Sequence, residues 1–114
     1  MAHDEVLTNR VRGALAHISD VEEKKMFGGL MFMVNGKMCI SVGKERIMCR
    51  IDPAIHNEVA KRKGCRTVTM KGRKYIGYVH VDKDVVKAKK DFDYWVALAL
   101  DYNKRSKAST KRKN

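Results

Sequence analysis

The sequence predicts an α+β domain in which an antiparallel β-sheet of hairpins is flanked by N-terminal, middle and C-terminal helices. Three observations lead to this fold class. Asn35-Gly36 separates two apolar runs, a spacing typical of a two-residue β-hairpin loop. Apolar residues recur at helical spacing near both ends of the chain. A length of 114 residues with 44% hydrophobic residues suits one domain with one core.

The first predicted helix covers residues 4–18. Asp4 and Glu5 favour a helix N-terminus there, because the helix dipole places positive charge at that end. Ser19-Asp20 then provides the exit from the helix. The apolar residues at helical spacing are Val6, Leu7, Val11, Ala14, Leu15 and Ile18.

Two consecutive hairpins are predicted within residues 30–51. Asn35-Gly36 is the loop of the first and Lys44-Glu45 the loop of the second. This register places Met31 opposite Ile40, and it assigns one sheet face to the core. The residues predicted to share that core face are Met31, Met33, Met38, Ile40, Val42, Ile47, Cys49 and Ile51.

The opposite face of the first hairpin carries Leu30, Phe32 and Val34, so its first strand is apolar on both sides. Such a patch needs a second cover. We expect these three side chains to form the interface of a homodimer, since a two-fold interface is the commonest symmetry. The alternative is a monomer in which the closing helix lies over this face.

The second half of the sequence predicts a middle helix, a strand pair and a closing helix. The middle helix spans residues 52–64, with Asp52 as N-cap, Pro53 at the first helical position and Gly64 after its end. The remaining elements are strands at 67–70 and 74–81, a lead-in turn at Val85-Val86, and a helix at 91–104 with a stripe formed by Phe92, Trp95, Val96, Ala99 and Tyr102.

No motif in the sequence indicates a catalytic centre, a cofactor or a metal site. The predicted register places Cys39 and Cys49 on opposite faces, which argues against a disulfide, and both are expected to be buried structural thiols. His56-Asn57-Glu58 matches half of the zinc-deaminase signature, but the P-C-x-x-C half is absent. His56 is therefore expected to be a solvated helix residue, and the chain is not expected to be an enzyme.

The net charge of +12 makes nucleic acid a candidate partner. We predict one domain at 1–103 and a disordered basic tail at 104–114. The N-terminus has no signal-peptide pattern and no apolar run is long enough to span a membrane, so a cytoplasmic location is expected. The candidate nucleic-acid contacts of the tail are Lys104, Arg105, Lys107, Lys111, Arg112 and Lys113.

Residues 24–42, KKMFGGLMFMVNGKMCISV, resemble the N-terminal domain of the TfoX (Sxy) family, named for regulators of bacterial competence genes. The resemblance continues through IMCRID, YVHVD and WVALAL and covers about residues 8–103. It implies an α+β domain with a regulatory role, in a version lacking the regulators' C-terminal domain. The residues that match the family motif, and to which it implies a structural task, are Met26, Phe27, Gly28, Gly29, Gly36, Arg50 and Trp95.

Three hypotheses for the function follow. The leading one is a non-enzymatic regulatory or interaction domain, related to transcription, that contacts an unknown regulatory protein. The alternative is a direct nucleic-acid-binding protein that uses the basic surface and the tail. The third is a small-molecule-binding protein or an enzyme without a recognisable motif.

Arg50 lies within an apolar alternation, and two interpretations are open for it. It is either an exposed strand arginine or an arginine paired with a carboxylate. The candidate carboxylates are those of Asp52, Asp82 or a second chain.

Overall fold

A computed structural model describes residues 4–26 and 29–106 of the protein. Within these ranges the chain forms three α-helices, one short 3₁₀ turn and six strands. The elements in chain order are α1 Glu5–Ala14, β1 Val21–Met26, β2 Gly29–Val34, β3 Lys37–Val42, β4 Arg46–Arg50, the 3₁₀ turn Pro53–Ile55, α2 His56–Val59, β5 Cys65–Met70, β6 Arg73–Asp82 and α3 Lys89–Arg105. No helix in the described part of the chain is long and apolar enough to cross a membrane.

The six strands form one antiparallel sheet in the order β1-β2-β3-β4-β6-β5. Side chains from all three helices join the inward-facing strand residues in a single apolar core. Its largest member is Trp95 on α3, which is 1% exposed. The described helices therefore lie on one face of the sheet, and the fold class predicted from the sequence is confirmed.

Two tight turns have the backbone of hairpin loops: the predicted Asn35-Gly36 loop, and a turn at Lys71-Gly72 between β5 and β6. Asn35 and Gly36 have φ angles of 54° and 76°, and Lys71 and Gly72 have φ angles of 52° and 77°. Positive φ at both central positions defines a type I′ turn, whose twist matches that of the flanking strands. Asp4 accepts a hydrogen bond from the Leu7 backbone N–H at 2.8 Å, as an N-cap does.

The register predicted for the first hairpin is wrong beyond its turn. Met33 pairs with Met38 as predicted, but Phe32 then pairs with Ile40, because a β-bulge adds one residue to β3. Leu30 and Phe32 consequently belong to the helix-covered core and not to an exposed patch.

The same shift moves Met31 away from the core that it was predicted to line, since it now lies opposite Ser41. Val34 follows Leu30 and Phe32 into the core and is 1% exposed. The three side chains expected at a dimer interface are thus covered by the chain itself. The homodimer stays a prediction, but these buried side chains cannot form its interface.

The bulge also changes the position of the thiols. Cys39 is the extra residue of β3, and it joins the same core cluster as Cys49, although the two were predicted on opposite faces. Both are free thiols and both are buried, as expected.

His56 is not the solvated histidine that the sequence suggested. It is 1% exposed, and its Nδ1 accepts a hydrogen bond from the Gly77 backbone N–H at 2.9 Å. Its Nε2 lies 2.8 Å from Thr67 Oγ1 and donates to that hydroxyl, because Nδ1 already acts as the acceptor. The imidazole thereby ties α2 to β5 and β6.

The C-terminal helix is longer than predicted. It begins at Lys89 and includes Lys104 and Arg105, and Ser106 after it is buried. The first residues of the predicted tail are therefore part of the folded domain.

Candidate interaction surface and the cavity beside it

The sheet face opposite the helices carries methionines at positions that alternate with the core residues. Met31 and Met38 are 6% and 3% exposed, whereas Met33 and Met48 are half-buried. Ser41 and His80 belong to the same face, since they pair with Met48 across neighbouring strands. This helix-free face is a close array of flexible side chains with limited exposed area.

A two-stranded ribbon extends beyond this sheet. Strand β4 pairs only with Tyr78–Asp82 of β6, so the preceding part of β6 pairs with β5 alone. We call residues 68–76 the basic hairpin. Its exposed residues are Thr69, Met70, Lys71, Gly72, Arg73, Lys74, Tyr75 and Ile76.

The stretch of sequence that contains the basic hairpin carries charges of one sign only. Residues 59–81 contain no Asp or Glu, and their basic residues are Lys61, Arg62, Lys63, Arg66, Lys71, Arg73 and Lys74. Two of these are engaged: Arg66 forms a 3.0 Å ion pair with Asp82, and the Arg62 guanidinium lies 4.3 Å from the ring centroid of Tyr94. The three basic residues of the hairpin itself form no ion pair within residues 4–26 and 29–106.

The hairpin tip is also unusually apolar for an exposed segment. Met70, Tyr75 and Ile76 are 38%, 36% and 51% exposed. Tyr75 meets Tyr78 edge to face, with ring centroids 6.5 Å apart. The sequence predicted the two strands but not the exposed surface in which basic and apolar side chains lie together. The absence of Asp and Glu from residues 59–81 could have indicated it.

A cavity of about 160 Å³ lies between the root of the basic hairpin and the helix-free face. Its polar side chains come from β3, β4, β5 and β6. The residues that line it are Ser41, Gly43, Arg46, Ile47, Met48, Val68, Thr69, Met70 and His80.

His80 has an unusual environment at this cavity. Its Nδ1 atom is buried and has no hydrogen-bond partner in the described structure. Burial, together with the positive charges of Arg46 and Arg66, lowers the pKa of the imidazole to about 4 despite the opposing effect of Asp82. His80 is therefore neutral at pH 7.

Arg50 is half-buried and is not paired with the carboxylates proposed from the sequence. Asp52 instead accepts from Arg105 at 2.9 Å, and Asp82 pairs with Arg66. The Arg50 guanidinium lies 5.8 Å from the Tyr78 ring centroid and 5.6 Å from that of Tyr102. Cation–π contacts hold it between β6 and α3, while its Nη1 has no hydrogen-bond partner in the described structure.

The three thiols are in an environment that opposes nucleophilic chemistry. Burial raises the pKa of Cys39 to about 12 and that of Cys65 to about 11. The pKa of Cys49 is raised well above its usual value for the same reason. A thiol that remains protonated at neutral pH is a poor nucleophile. Within the ranges that the structure describes, no group of three His, Cys, Asp or Glu residues could hold a metal ion.

The family to which this fold belongs follows from a comparison with family models. A model described as the TfoX N-terminal domain matches residues 13–102. The chain belongs to the TfoX N-terminal domain family. No curated protein and no solved structure matches it.

The described TfoX motif residues belong to β1, β2, the first hairpin turn, β4 and α3. Gly29 begins β2, where an added Cβ would lie 2.5 Å from the Val42 carbonyl oxygen, so the close approach of β3 requires glycine. Gly36 completes the type I′ turn, and Trp95 is a core anchor. Met26 ends β1, and Phe27 and Gly28 lie outside the described residues.

Of the six tail residues expected to contact nucleic acid, two lie in the described part of the chain. Lys104 is exposed on the last turn of α3, and Arg105 is held by Asp52 and Asp101. The other four lie outside the described residues: Lys107, Lys111, Arg112 and Lys113.

Proposed function

We propose that this TfoX-type domain is a non-enzymatic regulatory domain, related to transcription, that contacts nucleic acid through the basic hairpin. The observation that carries the proposal is the acid-free run of residues 59–81, which contains an exposed ribbon whose basic side chains form no ion pair with any described residue. Membership of a regulatory type of family supports the same direction. The high pKa values of the buried thiols support a role other than covalent catalysis.

Charge and shape both favour a nucleic acid as the partner. Lysine and arginine that neutralise phosphates release condensed counterions, which drives binding without sequence readout. A two-stranded ribbon also fits the major groove of duplex DNA. Tyr75 and Ile76 would meet the sugars or bases while Lys71, Arg73 and Lys74 meet the phosphates.

The test is fluorescence anisotropy with a labelled DNA duplex at several salt concentrations. A triple variant carries Lys71→Gln, Arg73→Gln and Lys74→Gln. Since each lost phosphate contact lowers the salt slope by about 0.9, we expect this variant to bind more weakly and to lose up to about 2.7 from the slope.

The matched control removes the same charge elsewhere, with Lys87→Gln, Lys89→Gln and Lys90→Gln, all of which are exposed. We expect this control to retain most of the affinity. Equal losses in the two triple variants would show that net charge alone governs binding, and would contradict a role for the hairpin. Both variants are also compared without residues 107–114, so that binding by that segment cannot mask the difference.

A protein partner is the second candidate, favoured by the exposed Met70, Tyr75 and Ile76. If duplex and single-stranded DNA both fail to bind the full chain at low salt, the nucleic-acid proposal is wrong. The apolar tip then becomes the surface to test for protein contacts.

A further inference from the structure

The cavity beside the basic hairpin has two chemically different sides. Arg46, Ser41, Thr69 and His80 supply a guanidinium, two hydroxyl groups and an imidazole. Methionine and valine side chains form the other side, from Met48, Val68 and Met70. A molecule that combines a polar head with a short apolar body matches this division.

The charge at the polar side is positive. No acidic residue lines the cavity. Asp82 is the carboxylate nearest in register, opposite Arg46, but its ion pair is with Arg66. Arg46 is exposed and has no ion pair within the described residues. An anionic head group would therefore meet an uncompensated guanidinium, whereas a cation would be repelled.

His80 in the cavity wall carries an unsatisfied polar atom. A buried polar atom without a partner is costly, and native proteins pair the great majority of such atoms. The Nδ1 of His80 is such an atom, on a residue that lines the cavity. Nδ1 itself has almost no accessible surface, so His80 acts on a bound anion through its position beside Arg46 and not through a hydrogen bond from Nδ1.

We propose that this cavity binds a small carboxylate with a short aliphatic chain. The Arg46 guanidinium pairs with the carboxylate, a planar arrangement in which two N–H groups can donate in parallel. The His80 ring lies in the wall of the same cavity, and the aliphatic chain packs against Met48 and Met70. A volume of about 160 Å³ restricts the site to molecules of a few heavy atoms.

Binding and protonation at His80 are coupled in this arrangement. The groups that set its charge are Arg46, Arg66 and Asp82, and the first two oppose protonation. An anion beside Arg46 offsets that repulsion, so the pKa of His80 is expected to rise when the site is filled. By linkage, the carboxylate binds more tightly as the pH falls toward the pKa of the occupied state.

The test is an NMR titration of the full chain with sodium butyrate, observed at the His80 ring and at the Met48 and Met70 methyl groups. Sodium chloride at equal ionic strength is the reference. We expect a saturable shift at all three residues and a higher pKa for His80 in butyrate than in chloride. No saturation, or equal shifts in chloride, would overturn the proposal.

Two variants locate the site. Arg46→Gln is expected to weaken butyrate binding at least tenfold, whereas Lys24→Gln removes one positive charge from an exposed residue of the edge strand β1 and is expected to leave the affinity unchanged. Equal loss in both would contradict a defined site. Arg46→Lys keeps the charge but not the paired donors, and it serves as the folded comparison if the glutamine variant unfolds.

A parallel titration with inorganic phosphate shows which kind of anion the cavity prefers. Saturable binding of inorganic phosphate without butyrate binding would refute the carboxylate assignment. Failure of this proposal can be told apart from failure of the proposed DNA contact, because the DNA test alters Lys71, Arg73 and Lys74, none of which lines the cavity.

Discussion

Lys71 holds a backbone conformation that lysine rarely adopts. It is the first central residue of the turn at the tip of the basic hairpin, with a φ angle of 52°. Asparagine tolerates this left-handed region better, since its short polar side chain can hydrogen-bond locally. We expect Lys71→Asn to raise the free energy of unfolding by about 0.5–1 kcal/mol.

Urea denaturation checks this prediction. The matched control is Lys74→Asn, which makes the same side-chain change on an exposed strand residue outside the turn. That change should be neutral or destabilising, because asparagine is disfavoured in strands. Stabilisation by the control alone would contradict the explanation based on φ.

The buried His56 and the half-buried His80 predict a dependence of stability on pH. The pKa of His80 is lowered to about 4, and that of His56 is lowered by burial from its usual 6.5. Below the usual histidine pKa of about 6.5, the unfolded chain binds more protons than the folded chain, because both folded-state pKa values are lowered. The free energy of unfolding therefore falls as the pH falls below about 6.5. The slope is at most ~1.4 kcal/mol per pH unit for each histidine.

Urea denaturation at about pH 7 and about pH 5 measures this slope above the main titration range of the carboxylates. Asp4 and Asp52 have lowered pKa values, so their contributions are lost only at still lower pH. His80→Gln should reduce the slope, and His17→Gln, at an exposed position, should leave it unchanged. An equal slope in the unmodified protein and in both variants would show that His80 does not contribute to the pH dependence of stability.

Single residues also show which parts of the fold could not be predicted from the sequence. Alternation along β2 correctly separated Phe32 from Met31, but it could not decide which of them faces the helices. That choice depends on one extra residue at Cys39, and a bulge leaves no trace in a pattern of apolar residues. His56 was misjudged because its partners, Gly77 and Thr67, are distant in sequence.

Among the elements, the end of α3 is tied to the first hairpin. Asn103 Nδ2 donates to the Val34 carbonyl oxygen at 3.1 Å, and Lys37 Nζ donates to the carbonyl oxygens of Asn103 and Ser106 at 2.6 and 3.1 Å. Arg105 joins the same helix to Asp52 at 2.9 Å. The closing helix is thus fixed at its C-terminal end by polar contacts as well as by its apolar stripe.

Truncation from the C-terminus should therefore have a sharp boundary. Removing residues 107–114 is expected to leave the melting temperature unchanged, whereas removing 104–114 should lower it by a few degrees. The second truncation deletes Arg105 and Ser106 and the contacts that they make. Differential scanning calorimetry compares the two, and equal melting temperatures would contradict a structural role for these residues.

Elements with a clear period could be predicted, and elements without one could not. The apolar stripes of α1 and α3 and the Asn35-Gly36 turn carried enough local information. Strand β1, with the sequence VEEKKM, was missed because consecutive charges conceal its alternation. Glu23 in this strand is held by Arg12 of α1 at 2.6 Å, a contact that no local pattern reveals.

At the scale of the whole molecule, oligomeric state and folding can now be tested separately. Phe32 is fully buried within the chain, so Phe32→Asp should unfold the protein and not merely dissociate a dimer. Burying an unpaired carboxylate there is expected to cost more than about 4 kcal/mol. Circular dichroism checks this, and a folded Phe32→Asp protein would contradict the placement of Phe32 in the core.

Light scattering at micromolar concentration tests the predicted homodimer itself. A mass of two chains would support it, and a mass of one chain would reject it. Because Leu30, Phe32 and Val34 are covered, a dimer would have to use another surface.

The two outermost strands decide whether the sheet can grow. An edge strand offers unpaired backbone groups to other chains, and charged side chains are a common protection against this. Strand β1 forms one edge and carries Glu22, Glu23, Lys24 and Lys25, while β5 forms the other and carries Arg66. Any strand added at these edges would have to desolvate those charges. The folded protein is therefore expected to resist fibril formation and to remain monodisperse on storage.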